Sequence, residues 1–316
     1  MPLRPDTAGL DATLATLTAH DAHQPDVCNV SVIIPTIGRP AELRKTLEAL
    51  VACRPRASEI LVIDQGVDGQ VAATAEEFGA LGVSWIRSAG RGIGLAVNEG
   101  LRAARADVVL ETHDDCSVAT DWIEVGHRLG STHPSCVFTG RVLPHDRGDA
   151  TIPSTKDDPE RHDFTGELRC DVLYPANAVL PRDAVLAAGG FDERLPFAED
   201  NDFCYRWLGD GRCLRYEPSL VVWHRRWRTE TEVRQTYINY WHDQGRFYAK
   251  HLRRGDRRIV RFIASDLRYA FGVIRLGLAN ALKRHRPWIP DRQRGVLVGL
   301  LPGLVRGWRD FRDERE

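Results

Sequence analysis

Between Val108 and Cys116 the chain reads VVLETHDDC, an apolar strand pattern that runs straight into two adjacent carboxylates, Asp114 and Asp115. Side-by-side carboxylates at the mouth of a buried strand repel one another and lose hydration, a cost that a cation or a bound ligand offsets. The chemistry this suits is the holding of a hard divalent cation by carboxylate oxygens; the plain alternative is a solvated turn. A second acidic cluster lies in GGFDERLPFAEDNDFCYR, where Glu199 and Asp200 open a helical pattern, although acidic side chains in a first turn also complement the helix dipole. His224 closes a third apolar run, VVWHRRW. An imidazole there serves either as a metal ligand or as a half-buried hydrogen-bonding group. Arg225, Arg226 and Arg228 beside it are of a type that meets phosphate oxygens with charge-assisted bonds.

These residues need elements to place them. Val30 to Pro35, Ile60 to Asp64, Val83 to Ile86 and Val108 to Glu111 read as strands, and Glu42 to Ala52, Val71 to Phe78 and Leu95 to Ala104 as the intervening helices. Strands alternating with helices at this spacing predict right-handed βαβ units and a mainly parallel sheet flanked by helices, an α/β class. Ligands bind beyond the carboxyl ends of such strands, which brings Pro35, Thr36 and Arg39, then Asp64, then Asp114 and Asp115, to one rim. The polar stretch from Val142 to Arg169 reads as loops over that rim. Glu199 to Leu208 reads as a helix with Phe203 and Trp207 stacked one turn apart and Asp202 spaced to pair with Arg206.

Taken in order over roughly residues 28 to 228, the Pro35-Thr36 turn, the His113-Asp114-Asp115 run, the Gly189-to-Glu193 segment (GGFDE), the Glu199-Asp200 pair and His224 resemble the inverting glycosyltransferases of family 2, which have the GT-A fold. The resemblance implies transfer of a hexosyl or deoxyhexosyl group from a nucleotide-diphosphate donor to an acceptor hydroxyl. It implies Mn²⁺ or Mg²⁺ at Asp115 and His224, Asp114 at the ribose or a metal-bound water, Asp200 as the general base, and Glu199 as the group that orients the acceptor. Pro35, Thr36, Arg39, Asp64, Gln65, Gly92, Gly94, Asn98 and Asp114 would line the nucleotide, and Asn177 would lie beneath the donor sugar. The chain departs from the family at His113, where an acidic residue is usual and an imidazole would bind ribose or metal, and at Gln65, where a second Asp is usual. A uridine or thymidine base is favoured and guanosine stays open. Polysaccharide, glycolipid, protein and small-molecule glycosylation all remain open, with a glycan or lipid-linked acceptor expected. Two other readings compete: a non-catalytic sugar-nucleotide-binding protein derived from a transferase and, remotely, an NAD(P)-dependent short-chain dehydrogenase suggested by RGIGLA. The latter lacks the first glycine of its motif, which falls on Ser88, and the loop follows a third strand instead of the first.

Composition bounds the rest. The chain has 316 residues, 43% of them hydrophobic, which suits a large folded domain with an appendage. No run is long and apolar enough to span a bilayer and no signal-peptide pattern opens the chain, so a cytoplasmic protein is expected. Seven scattered cysteines without a C-x-x-C pair predict reduced thiols, with Cys116 a small packing residue. From residue 251 onward 16 basic residues stand against 7 acidic ones, an asymmetry that separates a basic tail from an acidic body and gives no indication of nucleic-acid binding. The expected organisation is an extension over residues 1–27 with a helix from Leu10 to Thr18, a GT-A domain over 28–250 and a basic amphipathic helical tail over 251–316. In the tail Ile259, Ile263, Leu267, Ala270, Ile274 and Leu278 form one apolar side and Arg254, Arg261, Arg268 and Arg275 recur every seven residues. Such a tail suits peripheral contact with the inner face of a membrane, packing on the domain, or a homodimer.

Overall fold

The computed structural model describes residues 26–67, 69–146, 155–225, 228–282 and 291–315. The helix expected in the extension, together with Arg226 and Trp227, lies outside the described residues. The chain groups into two compact units: residues 1–91, 95–191 and 204–226 form the first, and 92–94, 192–203 and 227–316 the second.

The first unit is built on one mixed sheet. Its strands are β1 (Val27–Thr36), β2 (Arg56–Asp64), β3 (Val83–Arg87), β4 (Val108–Thr112), β5 (Cys116–Val118), β6 (Cys136–Pro144), β7 (His162–Asp163), β8 (Asn177–Pro181) and β9 (Cys213–His224). They lie in the order β3-β2-β1-β4-β8-β6-β9-β5, with β7 beside β9. β1 pairs in parallel with β2 and β4, and β2 with β3, as the βαβ alternation requires; β8 runs antiparallel to β4 and β6. The inner parallel strands β1, β2 and β4 are buried on both faces, which explains near-continuous apolar runs such as Val30 to Pro35, whereas the edge strand β3 is mostly exposed. α1 (Pro40–Val51), α2 (Gln70–Glu77), α3 (Ile93–Ala103), α4 (Trp122–Thr132), α5 (Arg182–Ala187) and α6 (Glu199–Gly209) connect them. α1 starts on Pro40, whose fixed φ suits a first helical position. It buries Leu43, Leu47 and Leu50 in the main core with Val32, Ile34, Val62 and Trp122.

Two expectations need correction here. The stretch from Val142 to Arg169 is not all loop: β6 runs on to Pro144, Lys156 bridges Val142, and β7 pairs with β9. The cysteines are not all thiols, because Cys136 and Cys213 form a disulfide. They are 77 residues apart but directly opposed on β6 and β9. That neighbourhood is set by sheet order, which cysteine spacing does not encode. Cys116 is buried, as expected of a packing residue.

In the second unit α7 (Glu230–Arg253) begins with a capping box between Thr229 and Glu232 and is followed, past Gly255, by α8 (Val260–Leu282) and α9 (Asp291–Asp310). Gly295, Gly299, Gly303 and Gly307 recur every fourth residue on the face of α9 that meets α7. A Cβ at Gly295 would sit 2.7 Å from the Tyr237 carbonyl oxygen, one at Gly299 2.6 Å from that of Ile238, and one at Gly303 would collide with that of His242. The two backbones therefore pack in direct contact. Arg254 precedes the break at Gly255, so of the heptad arginines only Arg261, Arg268 and Arg275 share α8. The apolar side expected of this helix is divided: Ile259, just ahead of it, and Val273 are buried, whereas Leu267, Ile274 and Leu278 are exposed.

Candidate active site

The acidic pair follows β4, and the short strand β5 then folds back antiparallel to β9 so that Cys116 stands opposite His224. This pairing delivers His224, 109 residues beyond Asp115 in the chain, to within 3.2 Å of it, Nε2 to Oδ1. From the end of β1, Thr36 donates its hydroxyl to Asp114 Oδ2 at 2.6 Å. Arg39, at the start of α1, donates Nε to the same oxygen at 3.0 Å, pairs a second arm with Asp114 Oδ1, and reaches Asp115 Oδ2 at 3.2 Å. Thr36, Arg39, Asp114, Asp115 and His224 therefore converge, as expected of residues after parallel strands. Burial pushes the Asp114 carboxyl up to about 6 against the pull of Arg39. At Asp115 burial is outweighed by His224 and Arg39, and its carboxyl stays well below the usual range. Burial and the Asp115 charge raise the Cys116 thiol, which remains protonated.

Among the described residues Asp115, Cys116 and His224 form one group of buried donor atoms within 4.8 Å of one another. A carboxylate oxygen and an imidazole nitrogen at that separation could hold a divalent metal ion. The second ring nitrogen of His224, Nδ1, is buried without a hydrogen-bond partner in the structure. His113 is not in this group. Its ring turns toward Glu111, Nε2 to Oε1 3.9 Å, and both Glu111 oxygens are buried without a hydrogen bond.

The reading as a phosphate ligand needs correction for Arg225. It is buried and its guanidinium is spent inward: Nε on Glu42 Oε2 at 2.8 Å, Nη1 on Ser117 Oγ at 2.6 Å, and Nη2 on Thr46 Oγ1 at 2.8 Å and the Asp114 carbonyl at 3.0 Å. The Thr46 hydroxyl also lies 2.8 and 2.7 Å from the carbonyl oxygens of Asp114 and Cys116. Together Arg225 and Thr46 fix the main chain that carries the acidic pair. The sequence held a signal for this: Thr46 is a polar residue in the Leu43, Leu47, Leu50 stripe of α1.

Asp64, at the end of β2, is buried and accepts from the Gly66 amide at 2.8 Å and the Trp85 indole at 3.1 Å. Gln65 is buried beside it and donates its main-chain amide to the Thr36 carbonyl. Asn98 uses its side-chain amide to bracket Phe191, donating to its carbonyl at 2.9 Å and accepting from its N–H at 3.0 Å. Gly190 has φ +61, and a Cβ there would strike Asn98 Oδ1, which is one physical reason for glycine in GGFDE. Asn177 donates to the carbonyls of Arg141 and Leu220 and accepts from Trp122 Nε1 at 2.8 Å. It is fully buried, so its amide locks β8 to β6 and β9.

The second unit contains Gly92, at φ +123, Gly94, and the Glu199-Asp200 pair, which opens α6 as expected. Asp200 Oδ1 accepts from the Asn201 amide at 2.7 Å, and Glu199 is buried. Below the pair, α7 supplies a polar face that sequence reasoning missed. Lys250, 2% exposed, donates to Asp192 Oδ2 and Asp202 Oδ1, both at 2.7 Å. His251 Nε2 meets Asp202 Oδ1 at 2.9 Å, Gln244 accepts from Asn201, and Asp243 accepts from the Phe197 amide. In the first unit Arg206 donates to the carbonyls of Ala188 and Gly190.

The sheet order and the acidic site beyond its parallel strands define a GT-A fold, and solved structures agree. A mannosyltransferase from Pyrobaculum calidifontis, in complex with GDP-Man and Mn²⁺, superimposes with a TM-score of 0.56 at 17% identity over 92% of this chain and 88% of that one. GalNAc-T7 with UDP, GalNAc and Mn²⁺ gives 0.55 at 18% identity over 73% and 52%. S. aureus TarS 1-349 gives 0.51 at 16% over 68% and 71%. Residues 31–185, just under half of the chain, match the family model described as Glycosyl transferase family 2, the family that the ordered motifs resemble. A pre-mycofactocin glycosyltransferase of Mycobacterium tuberculosis is 26% identical over 226 residues, covering 68% of this chain. The chain spans about half the length of that relative, 46%.

Proposed function

We propose that this chain transfers a sugar from a nucleotide-diphosphate donor to an acceptor hydroxyl with inversion at the anomeric carbon. The observation that supports this best is the convergence of Thr36, Arg39, Asp114, Asp115 and His224 beyond the parallel strands, where a diphosphate and a divalent cation would find both charge signs. Asp115 and His224 would hold Mn²⁺ or Mg²⁺, with Mn²⁺ favoured by the imidazole. When bound, the cation supplies Lewis-acid neutralisation of the diphosphate leaving group. Thr36 and Arg39 would keep the Asp114 carboxylate fixed for the ribose side of the donor and are themselves proposed to approach the base and ribose. Asp64, Gln65, Gly92 and Gly94 are proposed for the nucleotide. Asn98 and Asn177 are assigned to the scaffold, since their amides are spent on main-chain and indole groups.

Asp200 is proposed as the base that takes the acceptor hydroxyl proton while the oxygen attacks the anomeric carbon, with Glu199 orienting that acceptor. Loss of the proton as the bond forms keeps the oxygen from becoming cationic, and attack from the face opposite the nucleotide inverts the centre. UDP- and dTDP-sugars are the preferred donors to test, followed by GDP-sugars. The test is thermal stabilisation by each sugar nucleotide with and without Mn²⁺, then transfer to glycan and lipid-linked acceptors. Mn²⁺-dependent stabilisation by one donor class, lost in Asp115→Ala, is the expected result. Stabilisation that EDTA leaves unchanged removes the metal from the proposal.

A further inference from the structure

α8 is anchored along one side only. Tyr248 of α7 donates its hydroxyl to Asp266 at 2.5 Å, Trp241 stacks on Tyr269 with ring centres 6.0 Å apart, and Val273 is buried on the same side. A second apolar strip of the same helix is left uncovered: Val260, Leu267, Phe271, Ile274 and Leu278 recur at helical spacing and are 50, 45, 66, 45 and 61% exposed. Groups this large and this exposed are costly in water and mark a binding surface. One edge of the strip is bordered by Arg261, Arg268 and Arg275, one per two turns. The only acidic side chain of α8, Asp266, is committed to Tyr248 on the anchored side.

This charge pattern selects the occupant. A second copy packed along the strip would bring its own arginines against these three, with no carboxylate on α8 to answer them. An anionic lipid surface answers all three at once and takes up the apolar side chains between them. No helix among the described residues is long and apolar enough to cross a membrane, so the helix would lie in the interface plane, a contact about 35 Å long at 1.5 Å per residue. α9 adds a second such strip in the same unit: Leu297, Leu301, Val305 and Trp308 are exposed on the side away from its glycines. We infer that the uncovered strip of α8, with Arg261, Arg268 and Arg275, docks this protein on anionic lipid bilayers. The inference stands on the surface of α8 and does not depend on the transfer reaction.

The test is co-sedimentation of the full chain with vesicles of phosphatidylcholine alone and of phosphatidylcholine with phosphatidylglycerol, at low and high salt. Binding to the anionic vesicles, absent on the neutral ones and suppressed by salt, is expected. Each of Arg261→Ala, Arg268→Ala and Arg275→Ala should lower the partition coefficient about fivefold, and Phe271→Ser roughly tenfold. Because all four side chains are exposed, melting temperatures should stay at the wild-type value. Absence of sedimentation at low salt overturns the inference, as does equal binding to neutral vesicles. So does a concentration-dependent dimer that Phe271→Ser dissociates, measured by light scattering.

Discussion

Asp114 and Asp115 are neighbours in the chain, yet their surroundings push them apart. Thr36 and Arg39 hold Asp114, while His224 and Arg39 hold Asp115 ionised. Asp115 is the carboxylate that faces His224, so Asp115→Asn should abolish Mn²⁺-dependent donor stabilisation, whereas His224→Ala should weaken it and reduce the preference for Mn²⁺ over Mg²⁺. Equal Mn²⁺ dependence in both variants and the wild type, read by calorimetry, would count against this assignment. Asp200→Asn should preserve donor binding and lower turnover roughly 10²-fold or more, the scale of a lost general base; turnover within a few-fold of wild type would move the role to Glu199. Arg225→Met should act differently from either. It leaves the cation group's own charges in place but frees the Asp114 main chain and leaves Glu42 with Lys45 alone, so both stability and donor binding should fall together.

At the scale of elements, α7 decides where the first turn of α6 stands. Lys250 neutralises Asp192 and Asp202 in one buried cluster, and removing one partner of such a cluster leaves uncompensated charge, a cost of about 3 kcal/mol or more. Lys250→Met should therefore lower the melting temperature and, by loosening the segment that carries Glu199 and Asp200, depress turnover more than donor affinity; an unchanged kcat would show that the cluster is only structural. The cluster also has an acid limit. Burial would raise the Asp192 carboxyl, but Arg194 and Lys250 hold it down at about 2. A depressed carboxyl contributes stability that is complete above its unfolded value, near 4, and is lost as pH falls from about 4 to about 2. Unfolding followed over that window should show the loss, and Lys250→Met should blunt it. The α7–α9 contact gives a steric counterpart: Gly303→Val must force apart a pair of backbones already in contact, and should destabilise by roughly 2 kcal/mol or more, whereas Leu301→Ser, on the exposed side, should not.

For the whole molecule the disulfide is the sharpest test of strand order. Cys136 and Cys213 can meet only if β6 and β9 are neighbours in the register found here. Denatured without reductant, the protein should titrate five thiols, those of Cys28, Cys53, Cys116, Cys170 and Cys204, and seven after reduction. Seven from the outset would mean that the pair is not joined in the isolated protein.

What the sequence determined by itself was local and periodic: the βαβ alternation, the carboxylates after the fourth strand, the acidic start of α6, and the helical character of the C-terminal region. Apolar period and turn chemistry act over a few residues, and the ordered motifs of a family can be read along a line. Tertiary structure alone decided what lies across strands and between helices. It brought His224 to Asp115 through a three-residue strand, turned Arg225 inward onto the Asp114 main chain, and spent Asn98 and Asn177 on the scaffold. It also joined two cysteines 77 residues apart and used four glycines of α9 as a contact face. The physical reason is the same for the polar groups: a buried donor or acceptor must find a partner, and which partner is near is fixed by sheet order and helix packing, not by distance along the chain.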